Sequence, residues 1–257
     1  MNLIQKFVKF PAFPIYLVLI ISSLPRIAIA ESPISLKFQR FQSWQISQRF
    51  IPPNRKAPQT TAGGASRRGR SCFLESKETL TPLMPANKLG LIFAERPTFY
   101  WFVPETAVQT ARFSLLDGED IVYETTFKLP QQSGIIGFTL PAEAPSLKVG
   151  KQYQWYMAIA CGADKLAEDI AVDGWVERIQ PTPDLSKEIA RTNPKQLSQV
   201  YATSGIWYEL VHTLVQQRLA NPSDRTVMAN WQALLESVGL ENLVSKPLVD
   251  ICNNKTK

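Results

Sequence analysis

The apolar residues of this chain fall into four successive textures. Ile15 to Leu24 is an almost unbroken apolar run. Residues 31–70 show no sustained period. From about Leu80 to Gln180, short apolar segments are separated by Pro, Gly and Asp signals. This predicts strands at Leu89–Phe93, Thr98–Val103, Gln109–Leu116, Ile121–Lys128, Gly134–Leu140, Gln152–Cys161 and Ala171–Gln180. Asp117-Gly118-Glu119-Asp120 reads as a hairpin turn. Along Tyr153, Trp155, Met157, Ile159 and Cys161 a period of two places large apolar side chains on one face, with Gln154, Tyr156, Ala158 and Ala160 between them. Beyond Pro181-Thr182-Pro183 the period becomes helical. Asn193 is placed to cap a helix with Pro194 first, carrying Leu197, Val200 and Tyr201 and ended by Gly205. Ile206, Leu210, Val211 and Leu214 mark a second helix, which stops near Asn221-Pro222. Ser223 is the expected cap of a third, with Val227, Trp231, Leu234, Leu235 and Val238 in phase and Gly239 as its stop. Short connections make these helices antiparallel neighbours.

The expected fold is therefore an all-β sandwich followed by a C-terminal helical region, α+β overall. Leu147-Lys-Val-Gly150-Lys-Gln-Tyr153-Gln-Trp155 resembles the turn and penultimate strand of immunoglobulin-like and fibronectin type III sandwiches. The resemblance implies an antiparallel sandwich in which the tyrosine hydroxyl ties down the corner. Tyr201, Gly205-Ile-Trp207-Tyr208 and Pro222 resemble the second half of a tetratricopeptide repeat, without a second copy at a fixed period. In Thr98–Val103, Phe99, Trp101 and Val103 face one way while Tyr100 and Phe102 face the other. A strand apolar on both faces is covered on both sides. The expected cover is the helical region, and the alternative is an exposed face that binds a partner.

The N-terminus changes the picture of where such a chain works. Lys6 and Lys9 precede the apolar run, and Ala28-Ile29-Ala30 supplies small residues at −3 and −1, so residues 1–30 read as a signal peptide cleaved at Ala30-Glu31. The run is too short for a bilayer core of roughly 30 Å. The expected location is periplasmic or extracellular, with no transmembrane segment in the mature chain. Residues 31–70 combine Gln, Pro, Gly and Arg and read as a basic, disordered linker, with a short amphipathic helix through Phe38, Phe41 and Trp44 as a variant of that reading. The expected organisation continues with the sandwich at 71–181, helices packed on it at 182–252 and a disordered tail at 253–257. Of the formal +6, three positive charges sit in residues 1–30 and a net seven in 31–70, which leaves −4 for residues 71–257. The basicity thus belongs to the linker, where Arg67, Arg68 and Arg70 could touch an anionic surface. Without a basic folded face, nucleic-acid binding is not expected.

The motifs, taken in order, resemble a cyanobacterial family, domain of unknown function 928. The residues that carry the likeness are Arg68-Gly-Arg-Ser-Cys72, Arg96-Pro-Thr-Phe-Tyr-Trp101-Phe-Val-Pro104, Gly150-Lys-Gln-Tyr-Gln-Trp155 and Cys161. Asp173-Gly-Trp175-Val-Glu-Arg178, Gly205-Ile-Trp207-Tyr208, Asn221-Pro222 and Leu234-Leu-Glu-Ser-Val-Gly239-Leu complete it. The resemblance implies an exported sandwich-plus-helices protein and carries no catalytic residue over. Cys72 and Cys161 match its pattern and Cys252 does not, so a Cys72–Cys161 disulfide is expected in an oxidising compartment. Three free thiols, with Cys161 a small buried apolar residue, is the alternative.

Candidate chemistry is sparse. His212 is the sole histidine, no Gly-x-Ser-x-Gly elbow accompanies it, and no cysteine pair has metal-ligand spacing. No catalytic residue, metal or cofactor is therefore expected. Glu168, Asp169 and Asp173 cluster in the loop between the last two strands, as do Asp117, Glu119 and Asp120 in the hairpin, but neither set has calcium-loop spacing. Trp101, Trp155, Trp175, Trp207 and Trp231 read mainly as core. The leading expectation is a non-catalytic binding or adaptor protein of the cell envelope, contacting a protein or an envelope glycan through Trp207, Tyr208, Tyr100 and Phe102. The alternative is an envelope enzyme, for example a glycan hydrolase, using carboxylates of residues 164–173.

Overall fold

The structure is a computed structural model that describes residues 49–58, 72–73, 78–161 and 170–249. The expected signal peptide, the linker apart from 49–58, Arg67, Arg68, Arg70, Glu168, Asp169, Cys252 and the tail lie outside the described residues. Two mixed sheets form the β region. One has the order β1-β3-β6-β9, with β1 Thr81–Pro82, β3 Thr98–Val103, β6 Gly134–Thr139 and β9 Leu248–Val249. The other runs β2-β8-β7-β4-β5, with β2 Leu89–Ile92, β4 Thr110–Asp117, β5 Asp120–Lys128, β7 Gln152–Ile159 and β8 Ile170–Arg178. The hairpin turn falls at Gly118-Glu119, with Asp117 opposite Asp120.

Two features correct the expectation of an all-antiparallel sandwich. β2 pairs with β8 and β6 pairs with β9 in parallel. Each pair is joined by a connection of many tens of residues, long enough for the crossover that parallel pairing requires. β9 also sits within the stretch assigned to helices, where Ile135 N–H donates to the Pro247 carbonyl at 2.8 Å and docks the chain onto β6. Two-residue strands such as β1 and β9 are too short for alternation to reveal.

The helices are α1 Pro183–Arg191, α2 Leu197–Thr203, α3 Trp207–Ala220 and α4 Arg225–Ser237. The apolar pattern of α1 is a single pair, Leu185 and Ile189, one turn apart and half-buried. The other signals of this helix are polar: Thr182 Oγ1 accepts from Leu185 N–H at 3.3 Å, Pro183 opens the first turn and Asp184 lies at its positive end. Asn193 caps a 3-10 turn over Pro194–Gln196 that leads into α2. The cap of α4 is Asp224, not Ser223, since the Asp224 carboxylate accepts from Thr226 and Val227 N–H groups at 2.8 and 3.3 Å.

Phe99, Trp101, Phe113 and Trp155 fill the space between the sheets, with ring centroids 4.9–6.1 Å apart. α3 lies against β2 and β3. On the other face of β3 the Tyr100 hydroxyl meets His212 Nδ1 of α3 at 2.8 Å, and the Lys246 ammonium sits 5.2 Å over the Phe102 ring. Both faces of β3 are thereby covered. Residues 49–58, assigned to the linker by composition, pack on the helices through Phe50, which is 4% exposed. Phe50 is the buried anchor of an otherwise polar stretch, a contact that averaged composition conceals.

Candidate functional site

The residues of four motifs meet around the Tyr208 hydroxyl. It accepts from Trp155 Nε1–H at 2.8 Å and donates to the Trp175 carbonyl at 3.1 Å. Phe99 of the Arg96–Pro104 motif packs edge-on against the same ring at 5.5 Å. The ring fits because Gly90 has no Cβ, which would lie 2.5 Å from it; Gly174 likewise makes room for the Trp155 indole, 2.4 Å from where its Cβ would stand. Burial pushes the Tyr208 phenol far above its ordinary range, so it stays a neutral donor and acceptor.

This corrects the expected contact surface. Trp207, Tyr208, Tyr100 and Phe102 are 1%, 4%, 8% and 1% exposed and belong to the interior. The Trp207 indole N–H is used on the Leu83 carbonyl at 2.9 Å. Aromatic density read as a binding signal, while the start of α3 in fact closes one side of the β region.

Two further motif residues, Arg178 and Arg96, hold the segment between β2 and β3 in place. Arg178 Nε donates to the Phe93 carbonyl at 3.1 Å and its Nη1 to the Leu147 carbonyl at 2.8 Å, while Nη2 pairs with Glu95. Arg96 donates to the Pro141 and Ala144 carbonyls. From the helical side, Glu209 Oε1 accepts from the Phe93 and Ala94 N–H groups at 2.8 and 3.0 Å. Desolvation raises the Glu209 carboxyl above its usual range, its backbone donors opposing that shift.

Among the described residues the candidate catalytic groups stand apart. His212 faces the Tyr100 phenol, and partial burial lowers its pKa from the ordinary imidazole value. Asp173 pairs with Lys88 at 2.6 Å, and Asp117 pairs with Lys151. Glu119 and Asp120 are exposed at the hairpin tip. Among the described residues no group of three His, Cys, Asp or Glu is placed to hold a metal ion. Cys72 and Cys161 stand at disulfide distance, with Cα atoms 5.2 Å apart.

A histidine with a lowered folded pKa has a definite linkage sign. The unfolded chain binds the proton more readily, so the His212 contribution is present above the unfolded value, about 6.5, and is lost as pH falls through the folded one. Glu209 acts oppositely: its contribution is present below the unfolded carboxyl value and is lost as pH rises through the raised one. The expected result is that His212→Gln flattens the stability decline between about pH 7 and 5, measured by urea midpoints. An unchanged decline would remove His212 from the account.

The outer face of the five-stranded sheet is a different environment. Arg112, Ser114 and Leu116 of β4, Ile121 and Glu124 of β5, and Tyr156 of β7 line an open cavity of about 370 Å³. Ser114 Oγ donates to Glu124 at 2.8 Å, and Ile121 is 60% exposed. Burial and the nearby Asp173 charge both raise the Tyr156 phenol. Sequence reading missed this groove because it followed the apolar face of each strand. The available signal was the complementary alternation of Arg112, Ser114 and Leu116 with Ala111, Phe113 and Leu115.

Fold and site together define a two-sheet β domain closed by C-terminal helices, with a buried Trp155–Tyr208–Trp175 hydrogen-bond network between them. The chain belongs to the family described as Domain of Unknown Function (DUF928), whose family model matches residues 62–248. No curated protein matches it.

Proposed function

We propose that the chain is an exported, non-catalytic binding or adaptor protein of the cell envelope, with the outer face of the five-stranded sheet as its contact surface. The observation that carries this reading is the groove itself. It joins the exposed Ile121 and the half-buried Tyr156 ring to the Arg112 and Glu124 charges. Glu124, Ser114 and Tyr156 lie side by side in its middle row, flanked by Leu116 and Ile121 on one side and Arg112 and Ala158 on the other. A concave surface that combines apolar area with a few placed polar groups is suited to recognition.

The β region is read as an immunoglobulin- or fibronectin III-like sandwich. Supporting this are the order β2-β8-β7-β4-β5 opposite β1-β3-β6 and the Tyr153 hydroxyl, which accepts from Lys148 N–H at 3.2 Å as in a tyrosine corner. The α2–α3 pair, turning at Gly205, is compatible with one repeat-like hairpin. Export is supported by the apolar run and Ala28-Ile29-Ala30, and by a cysteine pair at bonding distance.

Two measurements test the proposal. The mature protein is expected to begin at Glu31 on N-terminal sequencing, and recovery of intact Met1 in a membrane pellet would contradict export. A photo-crosslinking residue at Ile121 is expected to give a discrete envelope adduct that Tyr156→Ala abolishes and that the same label at Lys187 does not give. Equal labelling from both positions would remove the groove from consideration.

A further inference from the structure

Residues 49–58 run over the helical region as a strap, held in the manner of a bound peptide. Phe50 is its buried anchor, its ring edge-on to Trp207 at 4.8 Å. The side chains around it are open: Arg49, Ile51 and Pro52 are exposed. The main chain is read directly. Phe50 N–H donates to Ser237 Oγ at 3.3 Å and Ile51 N–H to the Ala202 carbonyl at 3.1 Å. Gly205, at φ +71°, floors the path, and a Cβ there would stand 3.0 Å from the Ile51 carbonyl oxygen and 3.3 Å from the Pro53 ring. Arg55 completes the attachment by pairing with Glu177, whose side chain is only 5% exposed and whose other oxygen accepts from Gln152 Nε2 at 2.8 Å. An aromatic pocket, main-chain hydrogen bonds and a charged subsite further on are how extended, proline-bearing peptides are recognised.

Seat and occupant also belong to different parts of the chain. The family match over residues 62–248 contains Glu177, Ala202, Gly205, Trp207 and Ser237, whereas the strap precedes it. A carboxylate as buried as Glu177 is costly to leave unpaired, and in this chain Arg55, which precedes the family match, pairs with it.

We infer that this seat is a peptide-recognition groove of the family domain, filled here in cis by Phe50-Ile-Pro-Pro-Asn-Arg55 as a tethered ligand. Its partner is an extended peptide of the same chemistry, with an aromatic anchor, prolines two and three residues on and an arginine five residues on. The seat lies on α2–α4 and the end of β8, apart from the groove lined by β4, β5 and β7, so either reading can fail without the other.

The test uses the full chain carrying Phe50→Ala, which removes the cis anchor and leaves Arg55 on Glu177. The probe is a synthetic peptide of residues 49–58, with binding followed by calorimetry. The variant is expected to keep the wild-type circular dichroism spectrum and to bind the peptide saturably at one site. The wild-type chain is expected to bind it about 10-fold or more weakly, because a tethered ligand competes at high effective concentration. A peptide with Ala in place of the aromatic anchor is expected to lose about 30-fold. Absence of saturable binding to the folded variant overturns the inference, as does equal binding to the wild-type chain. An unfolded Phe50→Ala chain overturns it too, because a ligand's loss leaves its receptor folded.

Discussion

Reduction of the Cys72–Cys161 pair is expected to destabilise the folded chain by about 4–5 kcal/mol. The cysteines are 89 residues apart in sequence, so the bond restricts a long loop of the unfolded chain. In the chain-entropy account the effect grows with the logarithm of loop length, which sets that figure. The bond also fixes two elements of the native state. Phe73 bridges to Thr106, and Thr106 Oγ1 donates to the Cys72 carbonyl at 3.0 Å, so the cysteine holds this short segment beside the end of β7. With a urea dependence of about 2 kcal/mol/M, reductant is expected to lower the unfolding midpoint by about 2 M. Peptide mapping of exported protein without reductant checks the pairing. A Cys72–Cys161 peptide with an alkylatable Cys252 is the expected outcome; three free thiols, or a peptide joining Cys161 to Cys252, would contradict it.

Tyr208→Phe is expected to cost about 3 kcal/mol although it deletes a single oxygen. The ring is retained, so no cavity opens. What changes is that Trp155 Nε1–H and the Trp175 carbonyl each lose a partner in an interior without solvent. The indole N–H is left without a partner, which costs about 1–3 kcal/mol, and the Trp175 carbonyl keeps its place in the β2–β8 ladder but loses the added bond, worth about 1 kcal/mol more. For a chain of this size that corresponds to a fall in Tm of about 6–12 °C. Tyr153→Phe is the control, because its hydroxyl accepts one N–H in a half-buried turn and is expected to cost about 1 kcal/mol. If both substitutions lower Tm equally, the Tyr208 hydroxyl is not the junction described above.

These two predictions start from residues that the sequence reading already singled out, with different success. The cysteine pair came from a family resemblance, and spacing alone would not have chosen it over its alternatives. Tyr208, read from sequence, is an aromatic of an expected contact surface, and the structure buries it. A tyrosine on a binding face and one that bridges two buried indoles have the same local sequence context. Only the approach of β2, β7 and β8 to the start of α3 decides between them, and that approach depends on Gly90 and Gly174, whose importance is invisible until the neighbours are in place.

Local chemistry alone determined the positions of the long strands, the Gly118-Glu119 hairpin, helices α2–α4 and the β-then-α order of the chain. Each rests on a period or a cap encoded within a few residues. Tertiary structure decided whatever depends on partners distant in sequence. It paired β2 with β8 and β6 with β9 in parallel and drew Phe50 out of a polar stretch into a seat beside Trp207. It also turned four aromatic-bearing motifs inward and left the polar alternation of β4 and β5 as the open groove. The physical reason is that alternation records only that a residue has two environments, one on each side of a strand. Which side becomes solvent, core or contact surface is set by what packs there, and in this chain the covering elements come from both ends of the sequence.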